Sequence, residues 1–155
     1  MRKPIVIQLV IFIAFLFRGS ITLSAAPQRA CALLDDQMAA SLAGDKVNAP
    51  MDAGFLCVYS AENPAKTPIM FSVSTASPRD AKSFLQSHGG AKQGDTYESI
   101  PSLPNQNLLV VTAYQKHSLT VFVKGEELNL IVGRPMTPEL KAAMVEVMKR
   151  VLARL

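Results

Sequence analysis

The sequence has few of the residues that most often carry catalysis or bind metals. It contains two histidines and two cysteines among 155 residues, and His88 and His117 do not form a His-x-x-x-His spacing. It also lacks a glycine-rich phosphate loop, a nucleophile elbow and an Asn-x-Ser/Thr glycosylation site. We therefore predict no catalytic residue, no metal ligand and no cofactor. His88 is interpreted as a partly exposed residue at a helix end, and His117 as a solvated residue in a hairpin turn.

A charge excess of one sign is absent once the first 26 residues are set aside. Of the 16 basic residues, Arg2, Lys3 and Arg18 lie in that segment, which has no acidic residue. The remainder therefore has 13 basic and 12 acidic side chains, and the net charge of +4 belongs mostly to the first 26 residues. A nearly balanced charge gives no support for a nucleic-acid partner or for binding to an anionic membrane surface.

The first 26 residues have the pattern of a signal peptide. Basic residues precede an apolar run from Ile5 to Phe17, interrupted only by Gln8. This run is shorter than the roughly 20 residues that span a bilayer, so an uncleaved membrane anchor is the less favoured reading. Small residues then allow cleavage after Ala25 or Ala26. We predict a signal peptide at 1–26 and a single exported domain at 27–155, periplasmic or secreted, with no stable membrane span after leader removal.

Cys31 follows the predicted leader and has three interpretations: a lipid anchor, a reactive thiol or half of a disulfide. The residues before it, Gln28-Arg29-Ala30, do not form the small apolar sequence of a lipoprotein signal. A reactive thiol needs a lowered pKa and a base partner, and the histidines lie far along the chain. An exported chain with an even pair of cysteines is most simply read as containing one disulfide. We predict a Cys31–Cys57 bridge.

Hydrophobic periodicity predicts an α+β fold. Apolar residues at helical spacing, with capping residues before them, indicate helices at Asp36–Ala43, from Ser77 to about His88, and from Thr137 onwards. Alternating stretches such as Pro68–Thr75 indicate strands. We expect the order α-β-β-α-(β)-β-β-β-α, with an antiparallel sheet of four to six strands and the helices packed mainly on one face. The segment at 45–52 is predicted to be a connecting loop.

The sheet face opposite the helices is the candidate binding face. Its expected members are Ser72, Ser74, Thr120, Phe122 and Asn129. Phe122 and the nearby Ile131 make this face more apolar than a solvated surface requires, and we expect Phe122 to be exposed. The alternative is that the proline-rich segment 91–107 folds across the face. Tyr97, Ile100 and Leu103 would then cover it.

The chain resembles a broad group of small exported bacterial domains of unknown function, among them lipoproteins and sensor regions of receptor kinases. The shared arrangement is Cys31-x-Leu33-Leu34-Asp35-x-x-Met38, Leu42-x-Gly44 and Gly54-x-x-Cys57-x-Tyr59. The resemblance implies a disulfide-linked α+β module and provides no catalytic residues.

These observations lead to three expectations about function. The first is a non-enzymatic, exported binding or sensor-like module with a ligand or envelope protein as its partner. The second is an envelope interaction protein that docks by a strand edge. The third and least favoured is a small hydrolase or redox enzyme that uses His88, His117 or a free Cys57.

Overall fold

The computed structural model describes residues 30–87 and 94–155, so the predicted signal peptide lies outside the described residues. Four helices and seven strands are found in this part of the chain. In chain order they are α1 (Ala30–Leu33), α2 (Asp36–Ala43), β1 (Met51–Asp52), β2 (Leu56–Tyr59), β3 (Ile69–Thr75), α3 (Pro78–Ser87), β4 (Thr96–Glu98), β5 (Asn107–Val111), β6 (His117–Val123), β7 (Glu126–Val132) and α4 (Pro138–Leu152).

The strands form one antiparallel sheet in the order β1-β2-β3-β7-β6-β5-β4. The predicted α+β class and antiparallel sheet are confirmed, but the predicted number of four to six strands is wrong. The additional strand is β1, within the segment at 45–52 that was predicted to be a loop. A strand of two residues is too short to show a period of two in the sequence, and only its pairing with β2 reveals it.

Three helices begin at capping residues that the sequence makes recognisable. The Asp35 carboxylate accepts the Met38 N–H at 2.9 Å, and the Thr137 hydroxyl accepts the Leu140 N–H at 3.2 Å. At the start of α3, the Ser77 hydroxyl accepts the Asp80 N–H, and the Asp80 carboxylate accepts the Ser77 N–H. These bonds satisfy backbone groups that have no partner within the helix, and they explain why the helices begin where they were predicted to begin.

Helices α1, α2 and α4 pack on one face of the sheet, which we call the inner face. Most of the buried apolar side chains meet between these helices and the central strands. These side chains form the inner core. The largest fully buried side chains in the described residues are Tyr59, Phe71, Leu33, Leu34, Met38, Leu42, Ile69, Leu109, Leu119, Leu128, Leu130 and Leu140. The Tyr59 hydroxyl donates to the Leu34 carbonyl at 3.0 Å, which satisfies the polar end of the ring within this core.

The predicted disulfide is confirmed: Cys31 and Cys57 are bonded, with their Cα atoms 5.0 Å apart. Cys57 lies on β2 and is fully buried, whereas Cys31 belongs to α1, which precedes the predicted helix α2. The bridge therefore fastens α1 to the inner face. A disulfide is consistent with an exported protein, because oxidising compartments are where such bonds form and persist.

Helix α3 packs on the opposite face of the sheet. The rings of Phe84 in α3 and Phe122 in β6 meet edge to face, with their centroids 5.4 Å apart. Val121 lies in the inner core, so its neighbours Thr120 and Phe122 point to the outer face. The helices are thus mainly on one face, as expected, with α3 as the exception. Within the described residues, no helix combines the length and apolar character needed to cross a membrane.

Candidate functional site

The five residues predicted for the binding face lie on the outer face of three neighbouring strands. Ser72, Asn129 and Thr120 form one cross-strand row on β3, β7 and β6. The Thr120 hydroxyl and the Asn129 side-chain oxygen are 3.5 Å apart within this row. Ser74 and Phe122 belong to the next row, on either side of Glu127. The alternation of the sequence therefore placed all five on one face correctly, but it did not determine which of them reach solvent.

Two of the five residues are buried, and the expectation that Phe122 is exposed is wrong. Phe122 is 6% exposed and Thr120 is 1% exposed, whereas Ser74 is exposed and Ser72 and Asn129 are half-buried. Phe122 is covered by α3 through the Phe84 ring. Its burial follows from the placement of α3, which residue periodicity does not determine, because a helix with a narrow apolar stripe can pack on either face of a sheet.

The described part of the alternative cover, the segment 91–107, is divided between the two faces of the sheet. Ile100 and Leu103 belong to the inner core, so the prediction that they cover the outer face is wrong. Buried Asn107 holds this segment in place: its side-chain oxygen accepts the Ile100 N–H at 2.7 Å, and its amide donates to the carbonyls of Ile100 and Pro104. Tyr97 pairs with Val110, which alternates with the inner-core residue Leu109, so Tyr97 lies on the outer face.

The part of the outer face formed by β2, β3 and β7 remains partly accessible to solvent. We call it the open face. Its members are Leu56, Val58, Met70, Ser72, Asn129 and Ile131, all half-buried. The four apolar members do not pack against the inner core. Met51, which is 60% exposed, extends the open face at the sheet edge by pairing with Val58.

Strand β2 also contributes to the open face, and this contribution was not predicted. Leu56 and Val58 alternate with the buried residues Cys57 and Tyr59, and this alternation was the available signal. The register then brings Val58 beside Met70, and Met70 beside Ile131. These three side chains form a continuous apolar row across three strands.

His117 is a buried residue, contrary to the prediction that it is solvated. It is the first residue of β6 and is 2% exposed, and its Nδ1 atom accepts the Thr112 N–H at 3.2 Å. Its Nε2 atom is buried and has no hydrogen bond of ordinary geometry with the described residues. Burial lowers the pKa of His117, and the nearby Arg134 carbonyl partly opposes this shift. The other histidine, His88, lies outside the described residues.

We expect His117 to make stability sensitive to mild acid. The folded-state pKa of His117 is lowered, so the neutral ring contributes to the free energy of unfolding. This contribution is complete above about pH 6.5, the pKa of the unfolded state, and is lost as the pH falls towards the pKa of the folded state. The loss cannot exceed about 1.4 kcal/mol per pH unit.

Urea unfolding at about pH 7.5 and about pH 5.5 measures this loss. The difference between the two pH values should shrink in His117→Asn, which keeps an acceptor near the Nδ1 position, and should persist in the control His88→Asn. An unchanged difference in His117→Asn would contradict the assignment to His117.

The described residues offer few groups for covalent or metal chemistry. Both cysteines are in the disulfide, so the alternative of a free, nucleophilic Cys57 is wrong. Over residues 30–87 and 94–155, no three His, Cys, Asp or Glu side chains group closely enough to hold a metal ion. What the open face can offer is an apolar surface bordered by the hydroxyl of Ser72 and the amide of Asn129.

Comparisons with protein-family models, with curated proteins and with solved structures gave no match to this chain.

Proposed function

We propose that this chain is an exported, non-enzymatic binding module that presents its open face to a protein of the cell envelope. The observation that carries the proposal is the apolar row formed by Val58, Met70 and Ile131 on the side of the sheet opposite the core. Apolar side chains left partly in water favour association, because burying them releases about 25 cal/mol for each Å² removed from water. The resemblance to sensor-like exported domains is in keeping with this proposal.

The shape of the open face favours a protein over a small molecule. Its members belong to three adjacent strands of one sheet and form a surface with no second layer opposite them in the described residues. Small ligands usually bind in concave sites that enclose most of their surface, whereas protein interfaces are broad, with an apolar centre and a polar rim. Ser72 and Asn129 supply polar groups beside the apolar row.

Binding is favoured over catalysis by the positions of the reactive side chains. The disulfide removes both thiols, and His117 is buried with one ring nitrogen occupied by a backbone N–H. A general base must reach the proton that it abstracts, and a buried ring of this kind does not reach a substrate on the open face.

Docking by a strand edge is the second candidate, and the described edges support it less well. The edge strands β1 and β4 have two and three residues. At the β1 edge, Val47, which precedes β1, and Ala61, which follows β2, form one further antiparallel bridge. Short edges expose few unpaired backbone groups and are a common means of avoiding strand addition. The open face is therefore the better candidate.

Site-specific photo-crosslinking in the native host tests the proposal. A photoreactive amino acid at position 70 should give a discrete adduct with an envelope protein. The same group at Tyr114, which is 89% exposed in a hairpin turn, is the matched control and should not give that adduct. Adding Ile131→Glu should abolish the adduct, because it places a charge beside position 70.

Thermal melting accompanies this experiment, so that loss of the adduct is not confused with unfolding. Ile131 is half-buried and outside the core, so Ile131→Glu should cost about 1 kcal/mol or less. Identical adducts at positions 70 and 114, or an adduct that survives Ile131→Glu in a folded protein, would overturn the proposal. An adduct of twice the chain mass would assign the face to self-association instead.

A further inference from the structure

A concave site lies at one end of the sheet, away from the open face. It is a cavity of about 340 Å³ between the end of α2, the start of β3 and the end of β7. Ala43, Ile69 and Val132 give it an apolar lining, and all three are buried members of the inner core. Lys66 and Thr67 lie at its solvent-accessible side, and Arg134 completes the wall.

Two glycines allow the polar wall to approach the cavity closely. A β-carbon at Gly44 would overlap the Arg134 guanidinium, and one at Gly133 would overlap the Thr67 side chain. Gly44 also ends α2 with a φ of 62°, a conformation that other residues rarely adopt. The absence of side chains at 44 and 133 therefore lets Arg134 and Thr67 line the space.

The two cations of the wall differ in whether their charge is already satisfied. The Lys66 ammonium is 3.1 Å from the Asp45 carboxylate and donates to the Gly44 carbonyl at 3.0 Å. This ammonium is the main reason that the pKa of Asp45 is lowered. Arg134 is half-buried, and over the described residues its guanidinium has neither an ion pair nor a side-chain hydrogen bond. A guanidinium has five donors in a fixed plane, so Arg134 is the group in this wall with binding capacity left over.

We propose that this cavity binds a small organic monocarboxylate, with its acid group on Arg134 and its apolar body on Ile69 and Val132. The charge balance points to one negative charge: Asp45 compensates Lys66 and leaves Arg134. A carboxylate matches the planar, two-point donor pattern of a guanidinium. Inorganic phosphate is less suitable, because it has no apolar group to pack against the apolar lining. The volume lies at the small end of the usual range of about 300–1,000 Å³ for ligand sites, which favours a small ligand.

Hexanoate and its neutral counterpart hexanamide are the probes, with inorganic phosphate as a third. Titration of the full exported protein, followed by calorimetry, should show saturable binding of hexanoate. Hexanamide should bind roughly 10- to 100-fold more weakly, because it cannot form charge-assisted hydrogen bonds with Arg134. Arg134→Gln should weaken hexanoate binding by a similar factor. Arg79→Gln, which removes an exposed arginine of α3, is the matched control and should leave binding unchanged.

The same experiment separates ligand binding from a purely structural role of Arg134. As a cation beside the C-terminal end of α2, Arg134 also stabilises the helix dipole, so Arg134→Gln is expected to lower the melting temperature slightly. A measurement on the unmodified protein avoids this ambiguity: hexanoate should shift the backbone amide resonances of Thr67, Gly133 and Arg134.

Equal binding of hexanoate and hexanamide, tighter binding of phosphate, or absence of these resonance shifts would each overturn the proposal. So would undiminished hexanoate binding by a folded Arg134→Gln protein. None of these outcomes bears on the open face, which is tested separately by photo-crosslinking.

Discussion

Replacing either Cys31 or Cys57 with serine should lower the free energy of unfolding by about 2–4 kcal/mol. The bridge joins residues separated by 26 positions, and a closed loop of this size restricts the unfolded chain by roughly 3 kcal/mol in the chain-entropy model. The loss matters because α1 has four residues, too few to be stable without tertiary contacts. Chemical denaturation of the oxidised wild type and of each variant measures the effect.

The double variant distinguishes a bridge from two independent side chains. The variant with both Cys31→Ser and Cys57→Ser should be no less stable than the less stable of the two single variants, since the same one bond is lost in every case. Reduced wild type should match the variants closely and is the control for the serine side chains. Additive losses in the double variant would show that each sulfur stabilises the fold separately and would contradict the bridge.

The features that the sequence predicted well depend on residues close together along the chain. The starts of α2, α3 and α4 follow from Asp35, Ser77 and Thr137, because each cap bonds to a backbone N–H three positions later. The inward and outward sides of β3 follow from its alternation. The disulfide was predictable because two cysteines permit a single intramolecular pairing.

The features that the sequence predicted poorly depend on how distant elements pack. His117 was assigned to a turn, and its burial follows from the pairing of β6 with β7, where it lies beside Val132. Helix α3 has one fully buried side chain, Ala81, so its pattern did not show which sheet face it would cover. For this reason the prediction that Phe122 is exposed was wrong.

The cavity at the sheet end was missed for a related reason. Lys66 and Arg134 are 68 positions apart and belong to no motif, so only the fold brings them to one wall. Gly44 directly follows the predicted helix at Asp36–Ala43, but the close approach of Arg134 to it is a tertiary property. A site assembled from single residues on separate elements leaves no spacing pattern in the sequence.

The Phe122 side chain should prove to be structural. Phe122→Ala should lower the free energy of unfolding by about 3 kcal/mol or more, because it removes a buried ring and leaves a cavity under α3. Phe55→Ala is the matched control: it removes the same ring from a position that is 60% exposed and should cost about 0.5 kcal/mol or less. Thermal and urea unfolding of both variants measure the difference.

The contact with Phe84 gives this prediction a second, independent measurement. If the edge-to-face pair holds α3 on the outer face, a double-mutant cycle of Phe84→Ala and Phe122→Ala should show a coupling energy of about 0.5–1.5 kcal/mol. A loss at Phe122 no larger than at Phe55, with no coupling to Phe84, would show that α3 does not cover this strand. Phe122 and Thr120 would then join the accessible surface, and the open face would extend from β2 across to β6. A large, coupled loss instead confines the open face to β2, β3 and β7, where Met70 and Ile131 are the residues to test for binding.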